Sequence, residues 1–202
     1  EIQGNKPRPT INDELLALSV GDISFSIPAN YTVFPRDRRA GERENVSLYA
    51  SWPRMNGYVP ARREDFVENK PDARRIDMLI FEKQNPFTEQ DRLNILYTPH
   101  IIDELGSPFD YNLTLYEFRQ GSDNASGYAE KMMFTGVAND GTMAVLFCYP
   151  ETEDNIVPAD CYREYDLSPE VSVKYYFKKF YLPEWRRIDE QVHNFIDSLR
   201  VN

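Results

Sequence analysis

Along much of this chain apolar and polar residues alternate with a period of two, which predicts strands more often than helices. Residues 15–20 and 23–27 flank Gly21-Asp22. In the second run Ile23, Phe25 and Ile27 point one way while Ser24 and Ser26 point the other. That is the pattern of a half-buried hairpin, ended by Pro28. Residues 31–34 extend it briefly, and the arginine-rich 35–44 reads as a loop. Residues 46–52 alternate and stop before Pro53, as expected of a residue that proline holds extended. The connection 55–73 carries Gly57, Pro60 and Pro71, with a short helix fitting 62–69. Residues 76–81 are an apolar run read as a strand. In 88–105, Leu93, Leu96, Ile101, Ile102 and Leu105 are apolar, but Pro99 interrupts any single helix, so short helical turns are expected.

The C-terminal half is more regular. Residues 113–118 alternate. Runs 128–137 and 142–149 flank Asn139-Asp140-Gly141, whose residues tolerate positive φ. Runs 162–167 and 171–179 flank Ser168-Pro169. In the last strand Val171, Val173, Tyr175 and Phe177 alternate with Ser172, Lys174, Tyr176 and Lys178. Residues 128–179 therefore predict a four-stranded antiparallel meander. A helix follows near Pro183, with Trp185, Ile188, Val192, Phe195 and Leu199 as one apolar stripe and Arg186, Glu190, His193 and Asp197 opposite. It is expected to lie across the meander. The fold class is α+β: a polar spacer at 1–13, then one domain at 14–202 built on a mainly antiparallel sheet. This order of elements resembles the Mog1/PsbP-like α/β/α sandwich; no motif supports carrying functional residues across.

Two cysteines occur, Cys148 and Cys161, spaced C-x12-C. No C-x-x-C redox site is present, and two thiols alone are poor zinc ligands. Free buried thiols or one disulfide remain. Strand geometry favours the disulfide, because 142–149 and 161–167 read as neighbours with the two cysteines opposite each other. Such a bond contributes about 3 kcal/mol and points to the periplasm or the cell exterior. The chain starts at Glu1 rather than Met, which fits processing and a preceding signal, lipid-modified cysteine or membrane anchor. Sequons at Asn30, Asn45, Asn112 and Asn124 are glycan sites only if the chain is a eukaryotic secreted one.

The net charge is -10 at pH 7, which disfavours nucleic acid and anionic lipid as partners. Charge is uneven along the chain. Arg36, Arg38, Arg39, Arg43, Arg54, Arg62, Arg63, Arg74 and Arg75 crowd an early stretch. Glu151, Glu153, Asp154, Asp160, Glu164, Asp166 and Glu170 crowd a late one. Two solvated faces explain this; an arginine face for an acidic partner, centred on Arg36, Arg38, Arg39 and Arg43, is the sharper alternative.

Catalytic and cofactor signals are weak. With two histidines, Glu190-x-x-His193 has the i, i+3 spacing of di-iron bundles but lacks the other ligands. His100 with Asp103 and Glu104 has no G-x-S-x-G nucleophile near it, only Gly106-Ser107. Phosphate-loop and dinucleotide motifs are missing. Trp52, Tyr58, Tyr175 and Tyr176 line a sugar groove or belong to the core. Residues 174–181 mix lysines with aromatics as a single-strand nucleic-acid platform does, but their alternation instead places the lysines on one strand face, and a solvated sheet face explains that without nucleic acid. No cofactor and no metal is expected. The expected function is a non-catalytic, extracytoplasmic domain that binds another protein, with membrane contact only through a missing N-terminal anchor. An acidic inhibitor or immunity protein and an unrecognised hydrolase are the alternatives.

Overall fold

The computed structural model describes residues 6–120, 127–128, 130–151 and 159–201. Asn124, Glu153, Asp154 and most of the 150–160 loop lie outside these, as does the start of the spacer.

Two sheets form. In the smaller, β1 (Leu15–Val20) pairs with β2 (Ile23–Pro28) through the predicted hairpin. Its third strand, β3 (Gly41–Arg43), runs parallel to β1 inside the segment expected to be a plain loop. Gly41 has φ 121°, a backbone setting that glycine enters without strain, and it delivers the chain alongside Leu18.

The larger sheet contains β4 (Asn45–Ser51), β5 (Arg75–Glu82), β6 (Ser107–Phe109), β7 (Leu113–Glu117), β8 (Met132–Val137), β9 (Met143–Cys148), β10 (Asp160–Asp166) and β11 (Val171–Lys178). The spatial order is β4-β5-β11-β10-β9-β8-β7-β6, with every pair antiparallel. The predicted meander is its centre. Strand β8 begins at Met132, later than expected. The edge strand β6 carries Pro108, which has no N–H to offer a further strand.

Helix α1 (Arg63–Val67) is the short helix anticipated in the long connection. Helix α2 (Glu89–Asp91) runs on as a π-helical turn over Arg92–Tyr97 and a 3-10 turn over Thr98–His100. Thr88 and Asp91 cap one another across its first turn, so the segment starts sharply.

The main core lies on one face of the large sheet, beneath α3 (Trp185–Leu199) and the small sheet. Helix α3 buries Trp185, Ile188, Val192, Ile196 and Leu199. Five such side chains contribute about 10 kcal/mol of apolar transfer free energy. Phe195, assigned to that stripe from sequence, is only half-buried and packs at a tilt against Tyr31 at 4.9 Å; Ile196 takes the central place. Trp185 lies over Gly136 of β8, where a Cβ would meet its ring at 2.8 Å. Its indole N–H donates to the Tyr111 carbonyl at 3.1 Å. The C-terminus returns to β2, where the Val201 N–H donates to the Ser24 carbonyl at 2.9 Å.

The opposite face holds a second, smaller core: Ile101, Phe118, Met133, Val145, Phe147 and Tyr162, covered by Leu93 and Tyr97 of the helical segment. This face was expected to be solvated along β11. Instead Lys178 is buried, with its ammonium 2.7 Å from both Asp160 and Asn69.

Candidate functional site

Cys148 and Cys161 are register partners on β9 and β10, fully buried and joined as a disulfide with Cα atoms 4.0 Å apart. Pairing between these strands continues through Tyr162–Phe147 and Arg163–Leu146 and then ends. The Val145 N–H beyond that point donates instead to Glu89 Oε1 at 3.0 Å. A buried N–H must find an acceptor, and here a side chain from α2 supplies what a strand carbonyl would.

Glu89 is one end of a buried ionic chain that crosses the sheet. Arg163, 2% exposed, grips Glu89 with Nε (3.0 Å) and Nη2 (2.8 Å). Its Nη1 donates to Asp189 of α3 at 2.7 Å. Asp189 also accepts from the Tyr175 hydroxyl at 2.8 Å. Burial works against the Arg163 charge, but Glu89 and Asp189 outweigh it and hold the guanidinium firmly protonated. Burial pushes the Glu89 carboxyl above its usual range, with Arg163 pulling the other way. At the same gap Asp166 accepts from the Glu89 N–H at 2.8 Å and pairs with Lys83 (3.0 Å) and Arg92 (3.3 Å). Burial opposes the Asp166 charge, yet Lys83, Ser172, Arg92 and the Glu89 N–H together keep its carboxyl below the ordinary range. This assembly fastens α2 to one face of the sheet and α3 to the other.

Over the smaller core a shallow aromatic cleft of about 240 Å³ opens beside β9, β10 and β11, lined by Tyr97, Tyr128, Lys131, Tyr162, Glu164 and Lys174 among others. Cross-strand partners Phe147 and Tyr162 stack at 5.2 Å, and Tyr162 meets Tyr176 at 5.3 Å. Tyr97 packs edge-on against both Tyr128 (5.3 Å) and Phe147 (4.9 Å). The Lys174 ammonium lies 4.2 Å from the centre of the Tyr162 ring. Lys131 lies 5.7 Å from the same ring and 5.3 Å from that of Tyr149, which is 39% exposed. Burial raises the Tyr162 hydroxyl far above its usual range. Burial and the nearby charge of Lys174 push the Lys131 ammonium below its usual range. Tyrosine is among the residues enriched at protein-binding hot spots.

Of the arginines singled out from sequence, Arg36, Arg38 and Arg43 come together around a buried acid, Asp37. Arg43 Nη2 donates to the Arg39 carbonyl at 2.7 Å, and Arg38 Nε donates to Thr32 Oγ1 at 2.8 Å. Arg38 also reaches the Arg8 carbonyl, and the Arg8 N–H donates to the Val33 carbonyl, so part of the expected spacer lies against the domain. Arg36 sits over Phe34 at 4.7 Å. Arg36 and Arg39 are exposed, whereas Arg38 and Arg43 are half-buried and hold the loop. Of the late acidic stretch, Glu151, Asp160, Glu164 and Asp166 are each paired with a basic side chain.

The remaining candidates are scattered. His100 lies near Tyr128, and Ser107 begins edge strand β6 opposite Leu115. His193 stacks on Tyr165 at 3.8 Å, and Glu190 accepts from Asn139 at 3.2 Å. Among the described residues no group of three metal-ligating side chains is arranged around an ion. Trp52 and Tyr175 are core residues, and Tyr58 packs on Phe66 at 5.4 Å. Asn45 and Asn112 are exposed; Asn30 is half-buried against Gly57. No helix of the described residues is long and apolar enough to cross a membrane.

The frame described above, a large antiparallel sheet with a small sheet and terminal helix on one face, is shared by solved proteins. One is Smlt3025, an immunity protein of the Stenotrophomonas maltophilia type IV secretion system. It has a TM-score of 0.65 and 20% identity, covering 98% of this chain and 100% of that one. Another is the Neisseria meningitidis iron-regulated outer membrane lipoprotein FrpD, with a TM-score of 0.55 and 13% identity over 98% of both chains. These likenesses concern the fold. No family model matches the sequence, and the search of curated proteins found no match.

Proposed function

We propose that this chain is an extracytoplasmic protein-binding domain of the immunity kind, which masks a secreted effector or enzyme by occupying its surface. The observation that carries the reading is the end-to-end fold likeness to an immunity protein, with essentially all of both chains aligned. The buried disulfide supports a site of action in an oxidising compartment. An acidic chain also suits a basic target, because opposite charge speeds encounter. On this reading Arg36 and Arg39 lie at the margin of the contact or outside it.

The test is functional. The product of the gene adjacent to this one is exported to the periplasm of a laboratory host, with and without this chain exported beside it. Relief of growth arrest, together with a stoichiometric complex on size-exclusion chromatography, is the expected result. Arrest that persists with the chain folded and exported, and no complex, overturns the immunity reading.

A further inference from the structure

The aromatic cleft has an electrostatic peculiarity. The chain is acidic overall, and most cations around β10 and β11 are neutralised. Lys83 and Arg92 face Asp166, Arg163 faces Glu89 and Asp189, and Lys178 faces Asp160. Lys131 and Lys174 differ: among the described residues neither ammonium is within ion-pair distance of a carboxylate. Glu164 stands opposite Lys174 in register, but its carboxylate is 3.3 Å from Arg92. What the two lysines face is aromatic, and Lys131 also donates to the Tyr162 hydroxyl at 3.4 Å. Both lie over the ring of Tyr162, and Lys131 is also 5.8 Å from the centre of Tyr128.

Two like charges held over one buried ring repel each other, and cation–π attraction to Tyr offsets only about 0.5–2 kcal/mol of that. An anionic oxygen between them removes the repulsion. We infer that the cleft lined by Tyr97, Tyr128 and Tyr162 receives an acidic side chain of the partner protein, its carboxylate seated between the ammonium groups of Lys131 and Lys174.

This inference rests on the protein-binding reading and adds the partner's chemistry. A singly charged carboxylate fits better than a phosphate. Glu89 and Glu164 line the same cleft and repel a dianion more strongly, and no arginine fork is free to clasp one. The volume of about 240 Å³ suits one or two side chains rather than a free metabolite with its own shell of contacts.

The experiment is an amide-shift NMR titration with a blocked peptide of alternating Glu and Gly. Its counterpart of Gln and Gly and inorganic phosphate serve as the other arms. Saturable shifts confined to the surroundings of Tyr97, Lys131, Tyr162 and Lys174, seen with the acidic peptide alone, are expected. Lys131→Gln with Lys174→Gln weakens them by about tenfold or more, near 1.4 kcal/mol, while Lys131→Arg with Lys174→Arg retains them and both variants melt like the parent. Equal shifts from the neutral peptide, shifts elsewhere, or a phosphate response as strong as the peptide's overturns the assignment. If a partner complex forms and Lys131→Glu with Lys174→Glu leaves its affinity unchanged, the cleft assignment fails and the protein-binding reading survives. If the peptide saturates the cleft but no protein partner binds, the reverse holds.

Discussion

Replacing Arg163 by Met removes the centre of the ionic chain while keeping most of the side-chain volume. Three charge-assisted bonds disappear, two to Glu89 and one to Asp189. The larger effect is on what stays behind. Glu89 and Asp189 are left in a nearly dry site, where the Val145 N–H, the Tyr175 hydroxyl and His193 Nε2, 3.5 Å from Asp189, offer partial compensation. Stranding a buried partner in this way costs about 3–5 kcal/mol, against a total stability of about 5–15 kcal/mol for a domain. The urea midpoint falls accordingly, and the melting temperature drops by roughly 10 °C. The loss also acquires a pH dependence. Burial already raises the Glu89 carboxyl, and without Arg163 it rises further. The folded variant then binds a proton more tightly than the unfolded chain, so its deficit against the parent narrows as pH falls toward 5. Adding Glu89→Gln to the variant recovers part of the loss at neutral pH. A deficit below about 1 kcal/mol in urea melts at pH 7, or one that grows on acidification, refutes the claim that Arg163 neutralises two buried carboxylates.

Other predictions follow from the same geometry. Cys148→Ser with Cys161→Ser lowers stability by about 3 kcal/mol in urea melts, and peptide mapping of the parent without reductant recovers the two cysteines as one linked peptide. Asp166 has a depressed carboxyl, so its contribution is full above the unfolded value near ~3.9 and disappears as pH falls through the folded one. Asp166→Asn is therefore least stable relative to the parent at neutral pH, and the gap closes in acid unfolding followed by circular dichroism. Ile196→Ala costs about 2–5 kcal/mol by thermal melt, whereas Phe195→Ala costs clearly less, because Phe195 keeps one face toward solvent. Gly136→Val drives a side chain into Trp185 and unfolds or loosens the C-terminal helix, read from the indole fluorescence.

The parts legible in the sequence were those governed by local periodicity. Alternation marked β8 to β11, Asn139-Asp140-Gly141 marked a turn, and the period near four marked α3. What escaped depended on partners distant in the chain. Asp189 belongs to neither face of α3 as read from periodicity, and it is buried because Arg163, 26 residues earlier, reaches it. Glu89 looked like one acid among many in an irregular stretch; its role follows from β9 and β10 parting after Leu146. The second core escaped because Phe147, Tyr162 and Tyr176 occupy the phase of their strands that also carries Lys174 and Glu164. A tyrosine or lysine in that phase reads equally as solvated or as covered. The capping pair Thr88 and Asp91 was the available hint that the helical segment begins as a fixed structure and can lie over that face.

On the proposed reading, the tyrosine- and lysine-bearing face of the sheet meets another protein outside the cytoplasm. Replacing Tyr176, which borders the lysine cleft, by a photo-crosslinking amino acid tests it most directly. After illumination of the native host's intact cells, a single heavier adduct is expected in the envelope or secreted fraction, joined through an acidic segment of one second protein. Adducts absent under conditions where the chain is expressed and folded, or formed only when it is held in the cytoplasm, contradict it.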